Sequence, residues 1–219
     1  MQLKLHLRAD SMPDENAVSD ESYISWKAEL LRKGIHLLSL LIPISYFVFN
    51  HVVVLAGLSV ALAISGLFDI LRFFGHERVR RFLGTRFGFL LRPREKKSFS
   101  GATTILLAGL LVYLLYDINI AAAAMVIVVI GDSAAALAGR LFGKLKFYNK
   151  SFEGTLGFII ATSLFVFLIP GLPIQIAFAG VLVGALAEIV PIPIDDNVMV
   201  PLMAGGFMQF LSLRPPLVL

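Results

Sequence analysis

The chain has 219 residues, of which 58% are hydrophobic and only 16% are charged, and its formal net charge is +4. Water-soluble domains are about 45–50% apolar and about 25% charged, so this composition excludes an ordinary soluble domain. The absence of cysteine excludes disulfide bonds and thiolate metal sites. Long apolar blocks alternate with short polar segments, a pattern typical of a protein with several transmembrane helices.

The N-terminal segment differs in composition from the rest of the chain. Its acidic residues are Asp10, Asp14, Glu15, Asp20 and Glu21, which make it too polar for a signal peptide. We therefore predict a polar tail over residues 1–26 and a single transmembrane domain over residues 27–219.

Seven apolar segments are candidates for membrane-spanning helices, each of which needs about 20 residues. They are Ile35–Asn50, Val52–Ile70, Ala102–Tyr116, Ile118–Ala138, Gly154–Pro170, Ile174–Val190 and Val198–Leu213. The predicted fold class is all-α, a polytopic transmembrane helix bundle of about seven spans.

The basic residues favour one side of the membrane. Lys and Arg lie before the first predicted span, between the second and third, and between the fourth and fifth, and Arg214 is the only exception. By the positive-inside rule these segments and the N-terminus are cytoplasmic. The compact length and the lack of a targeting segment indicate a prokaryotic plasma membrane.

Two sets of polar residues next to predicted spans are candidates for a functional site. Arg32, Lys33 and His36 open the first span, and His36 falls one helical turn after Arg32 on the same face. These residues either anchor the helix at the interface or bind phosphate. Asp132 follows the apolar run Ala121–Ile130, where a carboxylate is costly unless it is paired or binds a metal. A structural hydrogen bond between helices is the alternative for Asp132.

The predicted cytoplasmic connections contain candidates for binding nucleotide phosphates. Glycine permits tight turns of the backbone, and lysine supplies a point charge for phosphate. A solvated basic loop is the alternative interpretation. The predicted phosphate-binding residues are Ser133, Gly139, Arg140, Lys144, Lys150 and Lys97.

An acidic turn precedes the last predicted span. Asp195, Asp196 and Asn197 offer adjacent oxygen ligands, which suit Mg²⁺ bound through one or two carboxylates and substrate phosphates. The alternative is an N-cap for the last helix, and both roles are compatible. Asp132 and Glu153 complete the predicted set of metal ligands.

Four motifs, taken in order, resemble one enzyme family. They are Arg32-Lys33-x-x-His36; Gly131-Asp132-Ser133-Ala134-Ala135 with Gly139-Arg140 and Gly143-Lys144; Lys150-Ser151-x-Glu153-Gly154; and Asp195-Asp196-Asn197 followed by Pro201. The set resembles the family of dolichol kinases, phytol kinases and yeast-type CTP-dependent diacylglycerol kinases over roughly Leu31 to Gly206. The short chain is closer to the compact phytol-kinase type.

The resemblance implies a transmembrane kinase whose active site faces the cytoplasm. It implies phosphoryl transfer from CTP to an isoprenoid alcohol or diacylglycerol, with Mg²⁺ or another divalent cation. The residues important in the family correspond here to Arg32, Lys33, Asp132 and Gly139. For the proton of the lipid hydroxyl, the residues themselves offer Asp132 or His36 as acceptor, and the sequence does not choose between them. The expected partners are CTP, a lipid alcohol and membrane lipids, with no nucleic acid. A homo-oligomer remains open.

Two other functions remain open at this point. A CDP-lipid synthase would also use CTP and a metal but would release pyrophosphate, although its long acidic signature is not evident. An ion-coupled transporter would use Asp69, Asp132 and Glu188 as an ion path. Against transport, the candidate charges collect near one membrane face and the chain shows no inverted repeat.

Overall fold

The computed structural model describes residues 33–87, 98–147, 150–191 and 193–213, and these ranges are mostly helical. The helices are α1 (Lys33–Val48, with a 3₁₀ segment at Leu38–Leu40), α2 (His51–Phe74), α3 (Glu77–Phe87), α4 (Gly101–Leu115), α5 (Ile118–Phe142), α6 (Phe152–Val166), α7 (Ile174–Ile189) and α8 (Asp196–Ser212). A two-stranded antiparallel hairpin, β1 (Lys146–Phe147) and β2 (Lys150–Ser151), joins α5 to α6. The tail at 1–26, Arg32 and Lys97 lie outside the described residues.

Each of the seven segments predicted as spans contains a helix, so the prediction of a predominantly helical fold is confirmed. Helix α3 and the β1–β2 hairpin were not predicted. Helices α2 and α5 are long and apolar enough to cross a membrane. Helices α1, α4, α6 and α7 are apolar but shorter, with 10–17 residues each.

Helix α5 forms the centre of the bundle. It packs against α1, α4, α6, α7 and α8, and its most extensive contact is with α6. Between Ile120 and Gly131 nearly every residue of α5 is buried, and four of them are consecutive alanines at 121–124. Small side chains allow neighbouring helices to approach closely, so α5 can be surrounded on all sides.

Helix α2 lies at the periphery of the bundle. It packs mainly against α4 and leaves large apolar side chains exposed along most of its length, among them Val52, Val60, Ile64 and Leu67. Exposed apolar surface of this extent indicates a site of contact with another apolar phase or with a protein.

Polar contacts connect helix ends at one end of the bundle. Lys33 at the start of α1 binds Asp132 in the C-terminal half of α5, and Asp69 near the end of α2 binds Ser100 before α4. The remaining contacts are Lys150 before α6 with Glu188 at the end of α7 and Asp196 at the start of α8, and Asn197 of α8 with Thr104 of α4. We call this end, where α1, α4, α6 and α8 begin and α2, α5 and α7 end, the polar end.

Close packing of α5 on α6 depends on a glycine at the first turn of α6. A Cβ atom at Gly154 would lie 2.9 Å from the backbone oxygen of Ala135 and 3.5 Å from Cα of Gly139. Backbone atoms cannot move aside as a flexible side chain can, so the helices would have to separate. Glycine at this position therefore permits the α5–α6 contact.

We expect Gly154→Ala to destabilise the protein by about 1–3 kcal/mol, as overpacking in a tight core does. The matched control is Gly57→Ala on the exposed side of α2, where a new Cβ has no atom within 4 Å. There alanine should be neutral or stabilise by up to about 1 kcal/mol, because it favours helix more than glycine does. Thermal unfolding of the purified protein in detergent measures both, and equal midpoints would contradict the packing role of Gly154.

Candidate active site at the polar end

Asp132 is held by a lysine from another helix. The ammonium group of Lys33 donates to Asp132 Oδ2 at 2.5 Å and to the backbone oxygen of the same residue at 2.9 Å. The two side chains are only 11% and 21% exposed, respectively. His36 Nε2 lies 3.7 Å from the same carboxylate oxygen. The structure thus brings together the polar groups that the sequence places at the first and fourth predicted spans.

A second ion-pair group lies where α6, α7 and α8 meet. The ammonium group of Lys150 lies 2.5 Å from Glu188 Oε1 and 3.2 Å from Asp196 Oδ2. Glu188 is 5% exposed, so its carboxylate depends on Lys150 for compensation of its charge. One cation therefore links the ends of three helices.

The charge of Lys150 is fixed by its neighbours. Burial lowers the pKa of Lys150, but the carboxylates of Glu188 and Asp196 outweigh this effect, and the pKa lies above the ordinary value of a lysine. Lys150 is therefore cationic at all physiological pH values. It can neutralise an anion, and it cannot act as a general base.

A cavity of about 450 Å³ connects the two ion-pair groups. Its lining includes the acidic residues Asp132 and Glu188, the lysines Lys146 and Lys150, and small residues of α5. Ligand sites commonly enclose about 300–1,000 Å³. Acidic and basic groups thus line one space of the size of a small-molecule site.

The predicted phosphate-binding residues separate into two sets. Gly139 and Lys150 line the cavity, together with Ser151 and Gly143. Ser133 donates its hydroxyl hydrogen to the backbone oxygen of Val129 in the preceding turn. Arg140 and Lys144 are exposed and do not line the cavity, and Lys97 is outside the described residues.

The predicted metal ligands also have different environments. Asp195 caps α8, accepting from the backbone N–H of Asn197 at 3.0 Å, while the amide of Asn197 donates to Thr104. The carboxylate of Glu153 accepts from the backbone N–H of Leu145. Within the described residues no three carboxylate or histidine side chains form a group that would bind a metal by itself.

Asp69, which the sequence analysis considered for an ion path, is fully buried and serves as a structural acceptor. It accepts from the backbone and hydroxyl of Ser100 at 2.9 Å and from the hydroxyl of Thr103 at 2.7 Å. Arg72 donates to its other oxygen at 2.8 Å. With this many donors the carboxylate is satisfied, and it ties the end of α2 to the start of α4.

Two features of the cavity were missed as site residues in the sequence analysis. Glu188 was considered only for transport, although an acidic residue at the end of an apolar segment is a signal of function. Lys146 belongs to the loop whose lysines are candidates for binding phosphate, but it is not among the predicted site residues. A further sequence signal of the site is the pattern Lys-Ser-Phe-x-Gly. It occurs at 97–101 and again at 150–154, in each case at the start of a helix at the polar end.

No protein-family model, curated protein or solved structure matches this chain. Its function therefore has to be inferred from the cavity and from the motifs that line it.

Proposed function

We propose that the protein is a multi-pass membrane kinase that transfers a phosphoryl group from CTP to a lipid alcohol. The observation that supports this most directly is the cavity at the polar end, in which Asp132 and Glu188 face the same space as Lys146 and Lys150. Phosphoryl transfer consists mainly of positioning and of stabilising charge on phosphate oxygens. A cavity with fixed cations and carboxylates suits that task.

In the proposed enzyme, α1, α2 and α4–α8 are seven membrane spans. Helices α2 and α5 have the length and composition for it, and the exposed apolar side chains of α2 would then face lipid tails. The shorter helices would cross where the bilayer thins or where flanking residues reach the interface. The polar end would lie at the cytoplasmic surface of a prokaryotic plasma membrane, because the basic connections are on that side.

The resemblance implies a divalent cation, and the cavity is compatible with one bound together with a nucleotide. Mg²⁺ commonly takes one or two carboxylates and completes its shell with water and substrate phosphates. Asp132 and Glu188 are the two carboxylates in the cavity wall, so they would hold the ion. Such an ion would neutralise phosphate charge. The described residues do not offer a metal centre built from protein ligands alone.

The chain's own residues have distinct roles in the proposed reaction. Lys150 and Lys146 bind phosphate oxygens, and Lys33 holds the carboxylate of Asp132 in the cavity wall. The lipid hydroxyl enters from the bilayer between helices and lies beside Asp132. Asp132 and His36, 3.7 Å apart, are the two proton acceptors within reach of a hydroxyl at that point. Nothing in the described cavity distinguishes cytosine from another base, so the choice of CTP comes from the resemblance.

We expect purified protein to transfer the γ-phosphate of CTP to a lipid alcohol and to release CDP. CTP labelled in the α- or the γ-phosphate, tested against phytol, farnesol, longer polyprenols and diacylglycerol, measures this directly. Unlabelled ATP, GTP and UTP as competitors define the donor. With phosphatidic acid as the acceptor, label from the α-phosphate in the lipid and release of pyrophosphate would show a CDP-lipid synthase instead.

Transport is less compatible with the arrangement of charges. Asp69 and Glu188 are buried at the polar end, Asp132 is partly exposed and lines the cavity there, and the buried part of α5 from Ile120 to Gly131 has no ionisable side chain. A path for ions would need polar groups through that part of the bundle. Phosphorylation of a lipid needs them at one end only.

A further inference from the structure

Helix α3 differs from every other helix of the described chain. Its sequence, ERVRRFLGTRF, contains four arginines and one acidic residue, and it is too polar to cross a membrane. It follows α2 after a break at Gly75–His76, and its main contact within the protein is with α2. The helix therefore extends from the polar end and is not part of the bundle core.

The side chains of α3 divide into an apolar side and charged flanks. Val79, Phe82 and Leu83 are spaced i, i+3 and i+4 and share one side of the helix. Phe82 is 58% exposed and Val79 38% exposed, so the protein leaves much of this side uncovered. At about 100° per residue, Arg78 and Arg80 fall on either side of the apolar strip.

The charge on α3 is largely uncompensated. Arg81 pairs with Glu77 at 2.8 Å, both being well exposed. Arg78, Arg80 and Arg86 have no carboxylate partner among the residues that the structure describes. Arg86 lies one turn beyond Phe82 and in line with the apolar strip, and its long side chain can reach past the end of the strip to the surface.

We propose that α3 is an interfacial anchor that binds anionic lipid at the polar end. Val79, Phe82 and Leu83 enter the boundary between headgroups and acyl chains, and Arg78, Arg80 and Arg86 bind lipid phosphates. This combination of an apolar strip and flanking arginines is what makes a helix lie in the membrane interface.

The position of α3 along the chain favours a membrane surface as the partner of its apolar side. The exposed apolar surface of α2 extends to Phe74 at the end of that helix, and α3 begins only three residues later, at Glu77. The basic connections put this end on the cytoplasmic side, where anionic lipids give the leaflet a negative potential. The inference needs the membrane topology of the proposed function but not its kinase activity.

Because the chain has no cysteine, a single introduced cysteine carries a spin label without background. We would compare Phe82→Cys with its matched control Gly84→Cys, about 160° away on the helix, where a side chain meets open space. Each full-length protein is placed in nanodiscs of phosphatidylcholine alone or mixed with phosphatidylglycerol. Collisions with oxygen, which enters lipid, and with a nickel chelate, which stays in water, report the surroundings of the label.

In anionic nanodiscs we expect the ratio of oxygen accessibility to nickel accessibility to be several-fold higher for the label at 82 than for the label at 84. Replacing Arg78, Arg80 and Arg86 by glutamine should abolish the difference in label accessibility between anionic and neutral nanodiscs, because each arginine contributes to attraction by anionic lipid. Replacing the same three by lysine should preserve it. Size-exclusion profiles check that these surface variants fold.

Three results would overturn the proposal. Equal access of nickel to both labels would place α3 in water. Shielding of position 82 from both reagents would show a protein contact in place of lipid. Equal insertion in neutral and anionic nanodiscs would show that the arginines do not recognise anionic headgroups. None of these results would bear on whether CTP is converted to CDP.

Discussion

Asp132→Asn is expected to lower the rate of lipid phosphorylation by about 10²–10³-fold, the effect of removing one group that stabilises charge in a transition state. The change keeps the shape of the side chain but removes the negative charge that faces the cavity and pairs with Lys33. The γ-labelled CTP assay in purified protein measures the rate. The affinity for lipid alcohol should change much less, because the altered group acts on the reacting hydroxyl and phosphate.

The matched control is Asp117→Asn at the opposite end of the same helix. Asp117 immediately precedes α5, is exposed, and accepts a hydrogen bond from Gln209 that an asparagine oxygen can also accept. The same chemical change there should leave the rate unaltered. Full activity of Asp132→Asn in folded protein would remove this residue from the site, and the proposed reaction with it.

Lys150→Met is expected to affect both activity and stability. Loss of the amine leaves the carboxylate of Glu188, 5% exposed, without its ion partner. Breaking a buried pair from one side costs about 3–5 kcal/mol, and we expect about 3 kcal/mol because Lys150 itself is 30% exposed. Phosphorylation should fall by roughly 10²-fold, since a fixed cation leaves the cavity. Thermal unfolding and the γ-labelled CTP assay measure the two effects.

A second substitution separates these two effects. Replacing both partners by apolar residues of similar volume, Lys150→Met with Glu188→Met, removes the uncompensated charge and should restore most of the stability. Activity should stay low, because neither the cation nor the carboxylate is restored. A double variant that regains both stability and activity would show that Lys150 and Glu188 only hold α6 to α7. In that case the cavity would not bind phosphate through Lys150.

The number and order of the main helices could be predicted from the apolar segments, but their ends and one helix could not. Predicted segments and helices differ by a few residues, as for Gly154–Pro170 against Phe152–Val166, because Ser151 caps the helix early. Helix α3 was missed because nearly half of its residues are charged and no apolar run marks it. The β1–β2 hairpin was missed because two-residue strands leave no periodic pattern.

Parts of the site could also be predicted from single residues. Asp132 and Lys150 were identified by type and position, since a carboxylate inside an apolar segment and a lysine before one both require a partner or a function. Their partners could not be identified in this way. Asp132 pairs with Lys33, 99 positions away, and Lys150 pairs with Glu188, 38 positions away. Neither spacing has a periodicity that a local pattern would reveal.

The sequence by itself determined that the chain is helical and apolar and that its basic residues fall mostly in alternate connections between the apolar segments. These properties depend only on the composition of the chain and on the order of its residues. Only the tertiary structure decided which charges meet. The packing of α5 among five other helices brings Lys33 to Asp132, and the joining of three helix ends brings Glu188 and Asp196 to Lys150. The physical reason is that a buried charge is stable only beside its opposite, and helix packing determines which opposite charge is within reach.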